Sequence, residues 1–238
     1  MRPATRLVGL FALMIGLMAV SVPAAQAEPG AYWEVGGTKI EGASELLPKI
    51  GLKKDVPNII FLLKISGSKI ELSCTEIKMV NGLLHKLGNI TGKLHFGNCI
   101  TKMNGSEASC KPHSPGAELG LIETNALVGL LKLHAEGAIK EDLLELLPQV
   151  GETFLTFVLG VEGKEECLFL LGKNEIKGKV FLKDCQNELL TNKAEHLFEE
   201  QKALSKLLFA GTPFTIDGSF LAFLEGVHAS QLWSGHPA

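Results

Sequence analysis

Two stretches decide how this chain reads: NITGKLHFGNC, from Asn89 to Cys99, and EIKGKVFLKDC, from Glu175 to Cys185. They share Ile, Gly, Lys, a branched aliphatic, a large apolar residue, Asn or Asp, and a closing Cys. In the first, Ile90, Gly92, Leu94 and Phe96 fall on one face, with Thr91, Lys93 and His95 on the other. In the second, Ile176, Gly178, Val180 and Leu182 lie opposite Lys177, Lys179 and Lys183. A period of two with polar residues on one side is the pattern of a half-buried antiparallel strand.

Working outward, the same alternation predicts strands at 58–65, 69–74, 119–124, 127–134, 153–161 and 214–224. Turn signals at Ser66-Gly67-Ser68, Asn104-Gly105 and Gly172-Lys173-Asn174 separate several of them. Many short strands with regular turns predict an all-β fold, an antiparallel sandwich or a barrel-like closed sheet. One segment stays open: NKAEHLFEEQKALSKLLFAG (192–211) reads equally as a short helix near 193–208 or as a further strand pair. As a helix it would set Leu197, Phe198, Leu204 and Leu208 on one side and stop at Gly211.

The likeness extends beyond the opening pair. ELLPKIG at 45–51 returns as ELLPQVG at 145–151, and Cys74 and Cys167 precede the matched strands at similar places. The offset drifts while the order is kept, as tandem duplication followed by loop deletion would leave it; chance likeness among Leu-, Gly- and Lys-rich strands is the other explanation. A real repeat implies two pseudo-repeated β units, about 40–140 and 141–238, packed face to face because one such sheet cannot bury its apolar face alone.

The start of the chain carries Arg2 and Arg6, an apolar run from Leu7 to Val20, Pro23, and the small-x-small triplet Ala25-Gln26-Ala27. This is the layout of a secretory signal peptide, 1–27, cleaved after Ala27. The apolar run is shorter than the roughly 20 residues of a spanning helix, and no later stretch is apolar for long enough to cross a bilayer. The expected mature chain, 28–238, is a single secreted, extracellular β-rich domain. It contains no arginine, and its 21 lysines against 26 acidic residues leave a charge of −5. Such a chain lacks the electrostatic footprint of a nucleic-acid binder and the planar fork that grips phosphate bidentately. Only four of the acids are Asp (55, 142, 184, 217), too few for Asp-rich calcium loops.

All five cysteines, 74, 99, 110, 167 and 185, lie in the expected exported part. Asn104-Gly105 signals a two-residue hairpin turn, and extending its register outward sets Cys99 opposite Cys110. A Cys99–Cys110 disulfide is therefore expected in an oxidising compartment. The simplest assignment for the rest pairs Cys74 with Cys167 and leaves Cys185 a free thiol; a Cys167–Cys185 bridge is the rival. A sharper reading groups His95, Cys99, Cys110 and His113 as a tetrahedral zinc set around the same hairpin, with export weighing against it.

Catalytic groupings are weak. Ser66-Gly67-Ser68-Lys69 satisfies S-x-x-K, but its companion motifs are missing and it sits in a turn. Gly88 to Lys93 falls short of a phosphate loop in spacing, and Leu94 stands where Ser or Thr is needed. Adjacent acids such as Glu165-Glu166 and Glu199-Glu200 would point to opposite faces of a strand and make no acid–base couple. No catalytic residue, cofactor or metal is assigned from sequence. Tyr32, Trp33 and Trp233 stand at the two ends of the mature chain, where AYWEV and QLWS are placed to seal the core.

The opening AYWEVGGTKI, the Cys-bounded strands and the ending HASQLWSGHPA together resemble a set of secreted, uncharacterised β-rich proteins of soil actinobacteria. The resemblance runs over most of the mature chain, implies export and an all-β fold, and supplies no site residues. Cys185 is an addition to the four-cysteine pattern of that set. The function expected is an exported, non-catalytic binding or structural module with a protein or cell-surface partner. The alternatives are a carrier enclosing a small lipophilic ligand and, third, a hydrolase whose site is assembled from distant residues.

Overall fold

The computed structural model describes residues 30–42, 48–52, 55, 58–65, 67–136, 139–161, 170, 172–183 and 195–238. The expected signal peptide, Cys167 and Cys185 lie outside the described residues. In chain order the strands are β1 (Tyr32–Val35), β2 (Thr38–Lys39), β3 (Pro48–Leu52), β4 (Ile59–Ile65), β5 (Ser68–His85) and β6 (Asn89–Met103). An excursion then adds β7 (Ser106–Glu107), β8 (Lys111–His113) and β9 (Ile122–Glu123). The chain continues with β10 (Leu127–Glu136), β11 (Ile139–Pro148), β12 (Thr153–Gly160), β13 (Asn174–Lys183), β14 (Glu195–Glu200) and β15 (Lys206–Phe209). It ends with β16 (Thr212–Asp217), β17 (Ser219–Leu224) and β18 (Trp233–His236).

Hydrogen-bonded pairing runs β4–β5–β6–β10–β11–β13–β15–β16, and β16 pairs back with β4. Every pairing is antiparallel, and the order round the ring is the order along the chain. The molecule is an eight-stranded up-and-down β-barrel, one of the two architectures the alternation predicts. Eight strands leave an interior just wide enough for side chains to fill or for one small ligand. Here it holds Phe61, Leu72, Phe96, Leu131, Phe154, Phe157 and their neighbours, all buried in one contiguous core.

The opening motif is explained by the ring. Ile90, Leu94 and Phe96 of β6, and Ile176, Val180 and Leu182 of β13, are buried as the alternation predicts. The shared glycine bends the strand. Gly178 has φ +117°, and a Cβ there would fall 1.8 Å from the Lys206 carbonyl oxygen of β15; Gly92, φ +157°, opposes the register shift in β5 between Val80 and Leu83. Glycines at tight bends and bulges are how a sheet curls closed. The two motifs are the third and sixth strands of a single ring, while the described parts of the two ELLP matches lie on the first and fifth, in β3 as the continuation of β4 and in β11. No single rotation of the barrel superposes both likenesses.

At three places a strand breaks and its continuation pairs further along. β12 follows β11 beside β13, β14 precedes β15 beside β13, and β17 follows β16, joining β14 to β3. The third break is at Gly218, φ +140°, where a Cβ would lie 2.6 Å from Ile59 Cδ1. Segment 192–211 is therefore strand in its described part: β14 and β15, parted by a turn at 202–204, stand where a helix was the other option. Pairing of β14 with β17 over five positions overrides the local helical spacing. The expected strand at 119–124 shrinks to Ile122–Glu123, because 118–121 leaves the sheet.

The cysteine pairing differs from expectation. The Asn104-Gly105 turn forms, pairing Met103 with Ser106 and Lys102 with Glu107. There the short ladder ends. Cys99 gives its N–H to the Gly120 carbonyl, so the 118–121 segment takes the place expected for Cys110. Across the β5–β6 hairpin Cys99 faces Cys74, and these two form the disulfide, Cα–Cα 4.0 Å. The Cys99–Cys110 and Cys74–Cys167 assignments are both replaced. Cys110 is itself disulfide-bonded.

A second sheet, β18–β1–β2, closes one end of the barrel. β1 pairs with β18 from Tyr32↔His236 to Val35↔Trp233, so the two expected seals are one structure. Trp33 and Trp233 are buried together with ring centroids 5.7 Å apart, and Trp33 Nε1 donates to the Asn89 carbonyl at 2.8 Å. Gly235 fits against Leu131 of the barrel wall, where a Cβ would approach to 2.6 Å.

Candidate functional site

Three places gather polar chemistry. In the cap, Ser234 Oγ lies 2.8 Å from His236 Nε2, and Glu34 Oε2 lies 3.5 Å from the same nitrogen. A nucleophilic triad needs the hydroxyl and the acid on opposite ring nitrogens. Here both meet Nε2, Ser234 has no exposed surface, and the imidazole stacks flat on Tyr32 at 4.4 Å. Burial holds the His236 pKa below its usual value against the opposing pull of Glu34 and Asp142. The cluster fastens β1 to β18 and presents no nucleophile.

The second place is a groove of about 250 Å³ on the outer wall, polar and open. Its floor is Glu76 and Lys78 of β5 with His95, Gly97 and Asn98 of β6; its wall is Glu118–Leu121. The wall is pinned by Cys99 N–H to Gly120 O and Gly120 N–H to Pro112 O, each 2.9 Å. Behind it, Ser114 accepts from the Glu123 N–H at 2.8 Å and lies 3.1 Å from the Thr156 carbonyl. Polar groups on the floor are paired: Lys78 Nζ with Glu76 Oε2 at 3.1 Å, and His95 Nε2 lies 3.2 Å from Glu123 Oε1. Asn98 donates to Glu76 Oε1 at 2.9 Å.

The third place is inside the barrel. An apolar cavity of about 30 Å³ is lined by Ile59, Ile77, Phe96, Phe154, Leu182 and Phe220 among others, and one ionisable group, Glu200, borders it. Glu200 ends β14, opposite Leu182 in β13, and is 7% exposed. Neither carboxylate oxygen has a hydrogen-bond partner. Ser205 is nearby, but its hydroxyl bonds the Gln201 carbonyl and receives the Phe181 N–H. Burial pushes the Glu200 pKa up to about 7, against smaller pulls from Ser205, Lys202 and the Ile216 backbone; Asp217 adds to the rise.

The zinc set weighed as an alternative in the sequence, His95, Cys99, Cys110 and His113, is not assembled. Cys99 and Cys110 are both in disulfides, His95 pairs with Glu123, and His113 Nδ1 contacts the Ser114 carbonyl. Among the described residues no group of three or more His, Cys, Asp or Glu could hold a metal ion. The free-thiol assignment for Cys185 falls outside the described residues. Of the S-x-x-K motif, Gly67 is the β4–β5 turn and Ser68-Lys69 begins β5. Among the described residues no helix is long and apolar enough to cross a membrane.

Neither a family model, nor a curated protein, nor a solved structure matches the chain. The sequence drew notice to Glu200 only as half of the Glu199-Glu200 pair, with no role assigned. Its signal was present: on a strand, positions 198 and 200 share a face, so a Glu follows a Phe on one side of a segment left open between helix and strand.

Proposed function

We propose that the protein is an exported, non-catalytic β-barrel that serves as an extracellular binding or structural module, meeting its partner at the outer groove between β5, β6 and the 118–121 wall. The observation that carries this reading is a contrast in volume among the described residues: about 250 Å³ of polar groove outside against about 30 Å³ of apolar cavity within. The inner space suits a water molecule or two, whereas ligand pockets run to about 300–1,000 Å³; this weighs against the lipophilic carrier. The His236 geometry weighs against a hydrolase built in the cap. The Cys74–Cys99 disulfide is compatible with an oxidising compartment.

Native mass spectrometry of the unreduced protein, taken from the medium of an expressing culture, tests the reading. The expected result is a bare polypeptide starting at Glu28. A retained small molecule released on denaturation would overturn it in favour of a carrier, and an intact leader would overturn export. Glu76→Ala with Lys78→Ala should abolish partner capture while leaving the fold unchanged by circular dichroism.

A further inference from the structure

An ionised carboxylate requires either a counter-charge or several hydrogen-bond donors, and one buried without them shifts towards its neutral form. Glu200 has neither. Both oxygens are unpartnered, the side chain is 7% exposed, and the bordering cavity of about 30 Å³ has an apolar lining that offers a water no polar partners besides Glu200 itself. The facing charges come from its surroundings in full view. On the following turn, Lys202 is held by Asp217 of β16 at 2.8 Å, on the solvent side of the corner. On β13, Lys179 is engaged by Glu145 of β11, and Lys183 sits one register position further along, opposite Glu199. Gln201 donates to Glu141 of β11. β17 presents Ser219 opposite Glu199.

The position also lies where two strands of the barrel are interrupted. Among the described residues β14 pairs with β13 at 182↔200 and 183↔199, and the chain breaks from β14 to β15 immediately beyond. Gly218 breaks the adjacent strand between β16 and β17. A buried acid thus stands at a junction of two interrupted strands.

We propose that Glu200 is a pH-responsive latch: with its carboxyl protonated, the corner where β13, β14 and β17 meet stays closed, and loss of that proton drives the corner open so that water reaches the carboxylate. The direction follows from linkage. The closed corner holds the proton up to about pH 7, whereas a hydrated Glu releases it near the ordinary value of 4.5. Opening therefore becomes about tenfold more favourable per pH unit across that window and levels off above it, some 300-fold in all.

Hydrogen–deuterium exchange of the full chain between pH 4.5 and 8, corrected for the intrinsic pH dependence of amide exchange, reads this directly. Peptides covering 195–200 and 219–224 should show the rise and the plateau, the β10–β11 hairpin should not, and Glu200→Gln should flatten the response. A flat wild-type profile, or an unchanged rise in Glu200→Gln, overturns the proposal. Should Glu200→Gln fail to fold, an infrared titration of the wild type decides, with the band assigned by its shift in Glu200→Asp. A buried carboxyl band lost with a midpoint near pH 7 supports the latch; a band lost in the ordinary carboxylate range overturns it.

Discussion

Single side chains set the sharpest constraints. Gly178 has no room for a methyl group, since its Cβ position is already taken by the Lys206 carbonyl. Gly178→Ala must separate β13 from β15, and thermal unfolding should register a loss of about 3 kcal/mol or more. Phe96 lines the inner cavity, edge-on to Phe61 at 4.9 Å. Phe96→Ala should cost about 3–5 kcal/mol in urea denaturation. Glu200 acts in the opposite sense at high pH. Its folded pKa is raised from 4.5 to about 7, so the stability it contributes is complete below pH 4.5 and lost as pH rises through 7. Glu200→Gln should therefore gain on the wild type by about 3 kcal/mol between those limits, and an equal pH slope in both chains would contradict that. Glu71 pulls the other way: burial raises it, but Lys69 and Lys102 outweigh the burial and hold its pKa low. Its stabilisation is present above pH 4.5 and lost on acidification.

Strands and hairpins show what the sequence made legible. The alternation in 89–99 and 175–183 identified two staves of the barrel together with their inward faces, because half-buried antiparallel strands write their burial directly as a period of two. β11 escaped for the same reason in reverse. Leu143, Leu144, Glu145 and Leu146 are all buried, so both faces are covered and no alternation remains to read. The disulfide register could not be extrapolated from the Asn104-Gly105 turn, because a two-pair ladder carries no information once the chain leaves it. The bridge that forms instead staples the longest hairpin, β5–β6, at a separation of 25 residues. Near it the inward face swaps from even to odd positions, from Phe96 to Cys99 and Thr101. Replacing both Cys74 and Cys99 by Ser should cost about 3 kcal/mol by loop-closure entropy, measured as a lowered urea midpoint with a steeper slope, because the unbridged unfolded chain is more expanded.

At the scale of the whole molecule, the barrel closes because β16 returns to β4, a pairing between residues about 150 positions apart that no local signal announces. The candidate groove was illegible on the same ground, since its floor and wall meet only after the 104–121 excursion folds back on β6. The cap likewise exists only once the barrel offers Leu131 and Asn89 to receive it. Trp33→Ala should loosen that end by about 3–5 kcal/mol and raise exchange at β18 before the ring responds. The cap has one more consequence. The chain has two tryptophans and one tyrosine, and all three stand in this small sheet. Near-ultraviolet emission thus arises from one end of the molecule alone, while the ring, with its phenylalanines, is almost dark. Fluorescence and circular dichroism followed in a single melt are two spatially separate gauges, and any gap between their midpoints is the margin by which the lid and the vessel come apart.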